Sequence, residues 1–278
     1  MRNDLKALRG AAVSQKTSAK HSYVLGLDLE GINENLLENG VNLKLDRVTE
    51  IGAVLWDVER AGPVKILSEL IDEADHLPID QDTAELTGID DAMLAEWGAK
   101  GDQIKAILEQ LAALMDKAQA VVAHNGGNYD RPMIEAMASR YNVKLPEKIW
   151  IDTGRDIEYP RKMQLRSMAA LEHAHGFVNP FPHRAVTDVL SMLKIFSQYD
   201  YDRTLALAKS PVVTIVADLK APNWKDQEAV NEFNRIKNKV AKARFRWNPT
   251  DKTWTKEIHK ILLEEGKIDL DFAWSIKA

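Results

Sequence analysis

The chain has 278 residues, 45% hydrophobic and 28% charged, with a formal charge of −5 at neutral pH; that is enough chain for one large domain and a small one. It has no cysteine, which rules out disulfides, thiolate zinc sites and cysteine nucleophiles. No apolar run reaches membrane-spanning length, so no membrane helix is expected, and a reducing, cytoplasmic setting fits.

Residues 1–21 lack an apolar period and a secretion-signal run, and are expected to be a mobile basic extension. YVLGLDLE (23–30) reads as a first strand, VTEIGAVLWDV (48–58) and VKILSELI (64–71) as the next two. A loop rich in Asp and Pro leads to helical stretches at DDAMLAEW and at 102–118. The short apolar run AVVAHN (120–125) suits a buried strand, and RPMIEAMASRYN begins with a proline at the position that opens helices. A further strand, KIWIDT (148–153), precedes a helix at 167–176 that stops at Gly176. The helix at 183–199 is fenced at its start by Pro180 and Pro182. Strands alternating with helices predict an α/β domain over 22–200. A small α+β module follows over 208–278. It has a strand at 212–219, a helix at 226–243, a hairpin turning at residues 248–252 and a helix ending at Gly266. Ile268, Leu270, Phe272, Trp274 and Ile276 alternate with polar or small residues, a strand period that pairs with 212–219 or extends a partner's sheet.

Three short segments carry chemistry. Asp28 and Glu30 are two apart in a strand and share a face. Two carboxylates in apolar surroundings repel each other, and a cation resolves the conflict. Oxygen-only ligands suit Mg²⁺ or Mn²⁺ rather than zinc. The alternative is a strand end with two solvated acids, which the apolar flanks disfavour. Asp130, in AHNGGNYD, follows a buried strand and a glycine pair at the mouth of a helix, where it can serve as a cap, a ligand or both. His183 and Asp188 are five apart, which on a helix leaves them about 140° out of phase. They can serve one site only if the prolines hold His183 in the loop ahead of the helix. Histidine titrates near working pH and can take a proton from water beside a cation. A helix-start histidine and a surface aspartate are the alternative.

Charge is unevenly spread. Residues 21–202 hold 17 basic and 31 acidic residues, whereas 203–278 hold 15 basic and 10 acidic. An acidic middle repels nucleic acid unless cations offset it. Between Arg235 and Lys256 lie Arg235, Lys237, Lys239, Lys242, Arg244, Arg246, Lys252 and Lys256, with Trp247 and Trp254 flanking the turn. Basic charge neutralises phosphates and aromatics stack on bases; equally, both tryptophans can be the core of so small a unit.

These motifs, in this order, resemble those of the DEDDh 3′–5′ exonucleases, which include the proofreading subunit of bacterial replicative polymerase, exonuclease X, RNase T and oligoribonuclease. D-x-E matches Asp28 and Glu30, N-x(2–3)-[FY]-D matches Asn125 to Asp130 with Tyr129, and H-x(4)-D matches His183 to Asp188. VTEIGAVLWD, ELTGID, WIDTGRD and LRSMAALEHAHG also look like their counterparts, so the resemblance covers about residues 22–198. One departure is Gly31, where the family has Thr or Ser.

The resemblance implies an RNase H-like mixed five-stranded sheet with helices on both faces. It implies two divalent cations, Mg²⁺ or Mn²⁺, about 3.5–4 Å apart on the scissile phosphate. Asp28 would bridge both cations, Glu30 and Asp188 would hold the one that activates water, Asp130 would support the other, and His183 would be the general base. Gly31, Asn125 and Tyr129 would line the terminal nucleotide. The expected activity is a 3′–5′ exonuclease releasing 5′-mononucleotides, with DNA favoured over RNA because a basic module suits a long polymer. In that module Arg244, Arg246 and Trp247 are the expected nucleic-acid contacts. The expected partners are the 3′ end of DNA and a replication or repair protein, with no membrane. The alternatives are an RNA-trimming enzyme of the RNase T type and a nucleic-acid-binding accessory protein with secondary nuclease activity.

Overall fold

The first strand sorts its side chains by chemistry. In β1 (Tyr23–Ile32), Leu25, Leu27 and Leu29 are buried on one side of the sheet, while Gly26, Asp28 and Glu30 face the other. The structure, a computed structural model, describes residues 21–160, 162, 163 and 165–277. Apart from His21, the expected extension at 1–21 lies outside the described residues.

The contacts divide the chain into two units. One runs to Gly154 and resumes at Arg161–Gln198; the other joins Arg155–Pro160 to the chain from Tyr199 onward. After β1 the first unit contains α1 (Leu36–Asn39), β2 (Arg47–Asp57), β3 (Gly62–Leu70), α2 (Gln81–Thr87), α3 (Asp91–Trp97) and α4 (Asp102–Lys117). It continues with β4 (Ala120–Ala123), α5 (Asp130–Arg140), β5 (Ile149–Asp152), α6 (Met168–Ala174) and α7 (Ala185–Phe196). Its sheet has the order β3-β2-β1-β4-β5. The β1/β2 and β2/β3 pairs are antiparallel, and β1/β4 and β4/β5 are parallel. This is the expected mixed five-stranded sheet.

Helices cover both faces. On α4, Ile104, Ile107, Leu108, Leu111, Leu114 and Met115 recur at helical spacing and are buried. With Met133, Ile134 and Met137 of α5 they close over the leucine face of β1. On the acidic face α7 comes so near that Gly26 has no room for a side chain: a Cβ there would lie 2.7 Å from Val189 and Leu193.

Besides the four-residue α1, two short helices were not expected. Residues 71–90 contain α2, seven residues long, where Asp80 accepts from the Thr83 N–H at 2.8 Å. In the second unit α8 (Tyr201–Lys209) is capped by Asp200 through the Arg203 N–H. Such short helices show little apolar period; their signal is the capping aspartate.

The second unit continues with β6 (Val212–Ala217), α9 (Gln227–Lys242), β7 (Arg246–Asn248), β8 (Thr253–His259), α10 (Lys260–Glu264) and β9 (Trp274–Ile276). Its sheet, ordered β7-β8-β6-β9, is antiparallel throughout. Ile215, Ala217, Val240, Phe245 and Ile258 form the core, and Phe272 meets Phe245 edge-on at 5.5 Å. The closing strand does pair with β6, but only over 274–276; Ile268, Leu270 and Phe272 alternate inward onto the core without a ladder. That alternation reports burial, not sheet pairing. Residues 155–160 join this unit through side-chain contacts: Arg203 ion-pairs with Glu158 as well as Glu265, and His259 Nε2 lies 3.0 Å from Asp156 Oδ1. Among the described residues no helix is long and apolar enough to cross a membrane.

Candidate metal centre

The β1/β2 ladder pairs Asp28 with Gly52 and Glu30 with Glu50, so all four face the same way. Beyond Glu30 the register slips at a bulge, and Gly31 pairs with Val48. Asp130, the first residue of α5, is 2% exposed, and its Oδ1 accepts from the Leu29 N–H at 3.0 Å. That bond fastens the start of α5 beside β1. Asp188 lies in the first turn of α7, and His183 lies in the loop ahead, as its prolines imply. Asp188 accepts from the His183 N–H at 3.0 Å and from Asn179 Nδ2 at 2.5 Å. Ligand-capable atoms of Glu30, His183 and Asp188 lie within 4.8 Å of one another.

The electrostatics are those of crowded acids. Burial, then the charges of Asp130, Glu30 and Asp188, hold the Asp28 carboxyl well above the usual carboxylate range. Glu30 is pushed up to about 8, by burial first and then by Asp188 and Glu50, with Arg184 opposing. Burial raises Asp130 to about 7 despite the Leu29 N–H bond, and it also raises Asp188. A cluster of crowded, half-buried oxygen donors fits divalent cations: positive charge offsets the burial, and at Asp28 and Glu30 the mutual repulsion, that hold protons on the acids.

The other expected residues occupy different places. The Tyr129 hydroxyl donates to Asn33 Oδ1 at 3.1 Å. A Cβ on Gly31 would come within 2.7 Å of both that hydroxyl and the Arg47 carbonyl oxygen, and the backbone oxygen is the contact that cannot give way. Asn125 adopts a positive φ of 61°, donates its N–H to Asp152 Oδ1 and accepts from Asn128. It shapes the second motif's turn. His124 bonds Thr153 beside it, at 2.9 Å. Arg244, Arg246 and Trp247 belong to the second unit, outside this cluster.

Four residues here were not singled out in the sequence: Asn33, Glu50, Asn179 and Arg184. Glu50 had a signal, as an acid inside the apolar run VTEIGAVLW; Asn179 had only its place before Pro180. A second cluster of possible ligands, His21, Asp57 and Glu59, already holds a cation, since Arg60 pairs with Asp57 at 3.0 Å.

Residues 32–196, over half the chain, match the RNase T family, described as exonuclease. The chain belongs to the DEDDh 3′–5′ exonuclease family. The matched span begins just after Asp28 and Glu30. DNA polymerase III PolC-type of Mycoplasma genitalium is 30% identical over 159 residues, 51% of this chain and 10% of that protein. The chain thus spans about a tenth of that relative's length. The nuclease domain of 3′hExo, a DEDDh family member bound to rAMP, aligns with a TM-score of 0.51 at 13% identity, covering 66% of this chain and 93% of that one. Exonuclease I aligns with a TM-score of 0.52 at 15% identity, covering 71% and 49%. A zinc-bound complex of E. coli ExoI with single-stranded DNA aligns with a TM-score of 0.51 at 16% identity, covering 64% and 40%. These likenesses establish a shared RNase H-like fold. The family the chain belongs to is one of exonucleases.

The raised carboxyl pKa values predict a pH-dependent stability. In the cation-free protein the folded state keeps protons on Glu30 up to about pH 8, while the unfolded chain loses them near 4.5. The unfolded state therefore binds fewer protons between those values, and stability falls as pH rises through that window. Thermal melts at several pH values should show this decline. Glu30→Gln should flatten it, and Mn²⁺ should stabilise the protein more as pH rises. A Glu30→Gln profile parallel to that of the unaltered protein would contradict the assignment.

Proposed function

We propose that this chain is a 3′–5′ exodeoxyribonuclease that releases 5′-mononucleotides, using two divalent cations and a histidine general base. The observation that carries the proposal is the convergence of Asp28, Glu30, Asp130 and Asp188 beside an exposed His183. The four carboxylates would hold Mg²⁺ or Mn²⁺. Asp28, which feels the charge of the other three, suits a ligand shared between two ions. When bound, the cations supply Lewis acidity that stabilises charge on the phosphate oxygens.

In this reading His183 takes the proton of the attacking water as its oxygen forms a bond to phosphorus. The bond from phosphorus to the neighbouring nucleotide's 3′ oxygen breaks, that oxygen leaves with the electron pair and is protonated, and the last nucleotide departs as a 5′-monophosphate. Gly31, Tyr129 and Asn125 would line the terminal nucleotide. Asn33 would steady the tyrosine hydroxyl, to which it is bonded.

DNA is the proposed substrate, supported by the basic second unit and by a relative that is a DNA polymerase. A replication or repair protein is the proposed partner on the same ground. The RNA-trimming alternative draws support from the likeness to 3′hExo bound to rAMP. The nucleic-acid surface of the second unit is narrower than its sequence suggests. Arg235 pairs with Glu232 and Lys239 with Asp271, while Lys256 turns to the Ala243 carbonyl. Lys237, Lys242, Arg244, Arg246 and Lys252 remain exposed. The tryptophans divide: Trp254 packs on the core, and Trp247, facing it across the hairpin at 5.7 Å, is 49% exposed. Arg244, Arg246 and Trp247 are the proposed contacts, with Trp247 stacking on a base.

A matched digestion tests the activity. Single-stranded DNA and RNA of one sequence, labelled at the 5′ end, should shorten stepwise from the 3′ end with Mg²⁺ or Mn²⁺, DNA faster. Asp28→Ala/Glu30→Ala should abolish this; faster RNA trimming would reverse the substrate assignment. For the module, Trp247→Ala should weaken single-stranded DNA binding ~10-fold, as loss of one stacked base implies, without lowering the melting temperature. Trp254→Ala should lower it. Equal affinity before and after the Trp247 change would remove that residue from the surface.

A further inference from the structure

We infer that Glu50 and Gly52 of β2 are positioning residues for the hydrolysis: they fix the start of α7, and with it His183, over the metal centre. The inference rests on the reading of His183 as general base.

His183 needs external support. It is exposed, it adopts a positive φ of 61°, and it lies in the irregular segment between α6 and α7. Its N–H bonds to Asp188, and Asn179 bonds to Asp188 too, so both contacts depend on a carboxylate that the cations also need. Glu50 has no such second duty. It is 2% exposed and accepts three hydrogen bonds from the two residues after His183. These come from Arg184 Nε at 3.1 Å, Arg184 Nη2 at 2.9 Å and the Ala185 N–H at 2.9 Å. The Arg184 fork is bidentate, which fixes direction as well as distance. The bond to Ala185 satisfies the first N–H of α7, whose own cap residue supplies no side-chain bond. A strand glutamate thus does the work of an N-cap and lies at the positive end of the helix.

Gly52 supplies an independent constraint. It lies two residues further along the same face of β2, opposite Asp28. A Cβ there would come within 2.3 Å of the Ala185 carbonyl carbon and 2.4 Å of the Val186 nitrogen. Backbone cannot yield as a side chain does, so the glycine sets how closely α7 approaches the strand pair that carries the acids. Glu50 draws the helix start in, and Gly52 lets it arrive. Because Glu50 is also the cross-strand partner of Glu30, anchor and proposed ligand share one rung. Small errors in placing a reacting group cost rate steeply.

The test is a double-mutant cycle on the full chain. Glu50→Ala, the volume-preserving Glu50→Gln and Gly52→Ala are each made alone and with His183→Ala. Single-turnover rate, substrate affinity, Mn²⁺ affinity and the NMR signal of the His183 imidazole (assigned with His183→Ala) are measured for each. Glu50→Ala should slow turnover ~10- to 100-fold while substrate affinity stays within about threefold. Glu50→Gln should fall between it and the unaltered protein. In the His183→Ala background none of the three changes should cost more rate, because Glu50 and Gly52 act through His183. The His183 signal should shift in Glu50→Ala. An equal rate loss in both backgrounds, or an unshifted His183 signal, would overturn the inference. If the unaltered protein degrades no substrate, the nuclease reading fails by itself, and the imidazole signal alone then decides whether Glu50 positions His183.

Discussion

The crowding of carboxylates where burial and mutual repulsion both penalise charge is the constraint on which the rest of this structure depends. Asp28, Glu30, Asp130 and Asp188 converge where burial penalises charge, and each is pushed toward its protonated form. A fold without function to serve would not gather them there, because ionised acids in that setting weaken it. Cations turn the conflict into affinity: the repulsion that destabilises the empty cluster is released when positive charge enters.

The fold supplies a way to hold such a cluster in place. Alternation along β1 sends three leucines to a hydrophobic layer and two acids to the opposite face, so the strand that carries the ligands is anchored by its other side. Glycine at 26 and 52 lets α7 lie close against the acidic face. The Leu29 N–H bond holds Asp130, and Glu50 holds the start of α7. Three elements thus bring in the four acids, β1 carrying two of them, and each element is fastened by contacts that do not involve a cation.

Most of this was legible in the sequence where the period was strong or the motif dense. Strand alternation at 23–30, the apolar run at 120–123 and the prolines around His183 put these residues on the elements where the structure has them. The short helices α2 and α8 escaped because caps, not stripes, define them. Glu50 and Asn179 escaped for another reason: their roles are partnerships with residues distant in the chain, and a single sequence does not display partners. Gly31 is the instructive case. As a departure from the family's Thr or Ser it suggested an altered nucleotide site, and the structure shows the Arg47 carbonyl and the Tyr129 hydroxyl both within 2.7 Å of where a side chain would start. In the second unit, the run of basic residues overstated the cationic surface because side-chain pairing and burial withdraw part of it.

Proton release on cation binding tests the account most directly. Mn²⁺ would be titrated calorimetrically into the cation-free protein at pH 7, in two buffers of different ionisation enthalpy. With Glu30 near 8 and Asp130 near 7, the account predicts that Mn²⁺ binds with release of protons to the buffer, and that Asp28→Ala/Glu30→Ala loses both the binding and the release. Binding with no proton release would mean the acids are already ionised in the empty site, and the repulsion invoked here would not be what shapes it.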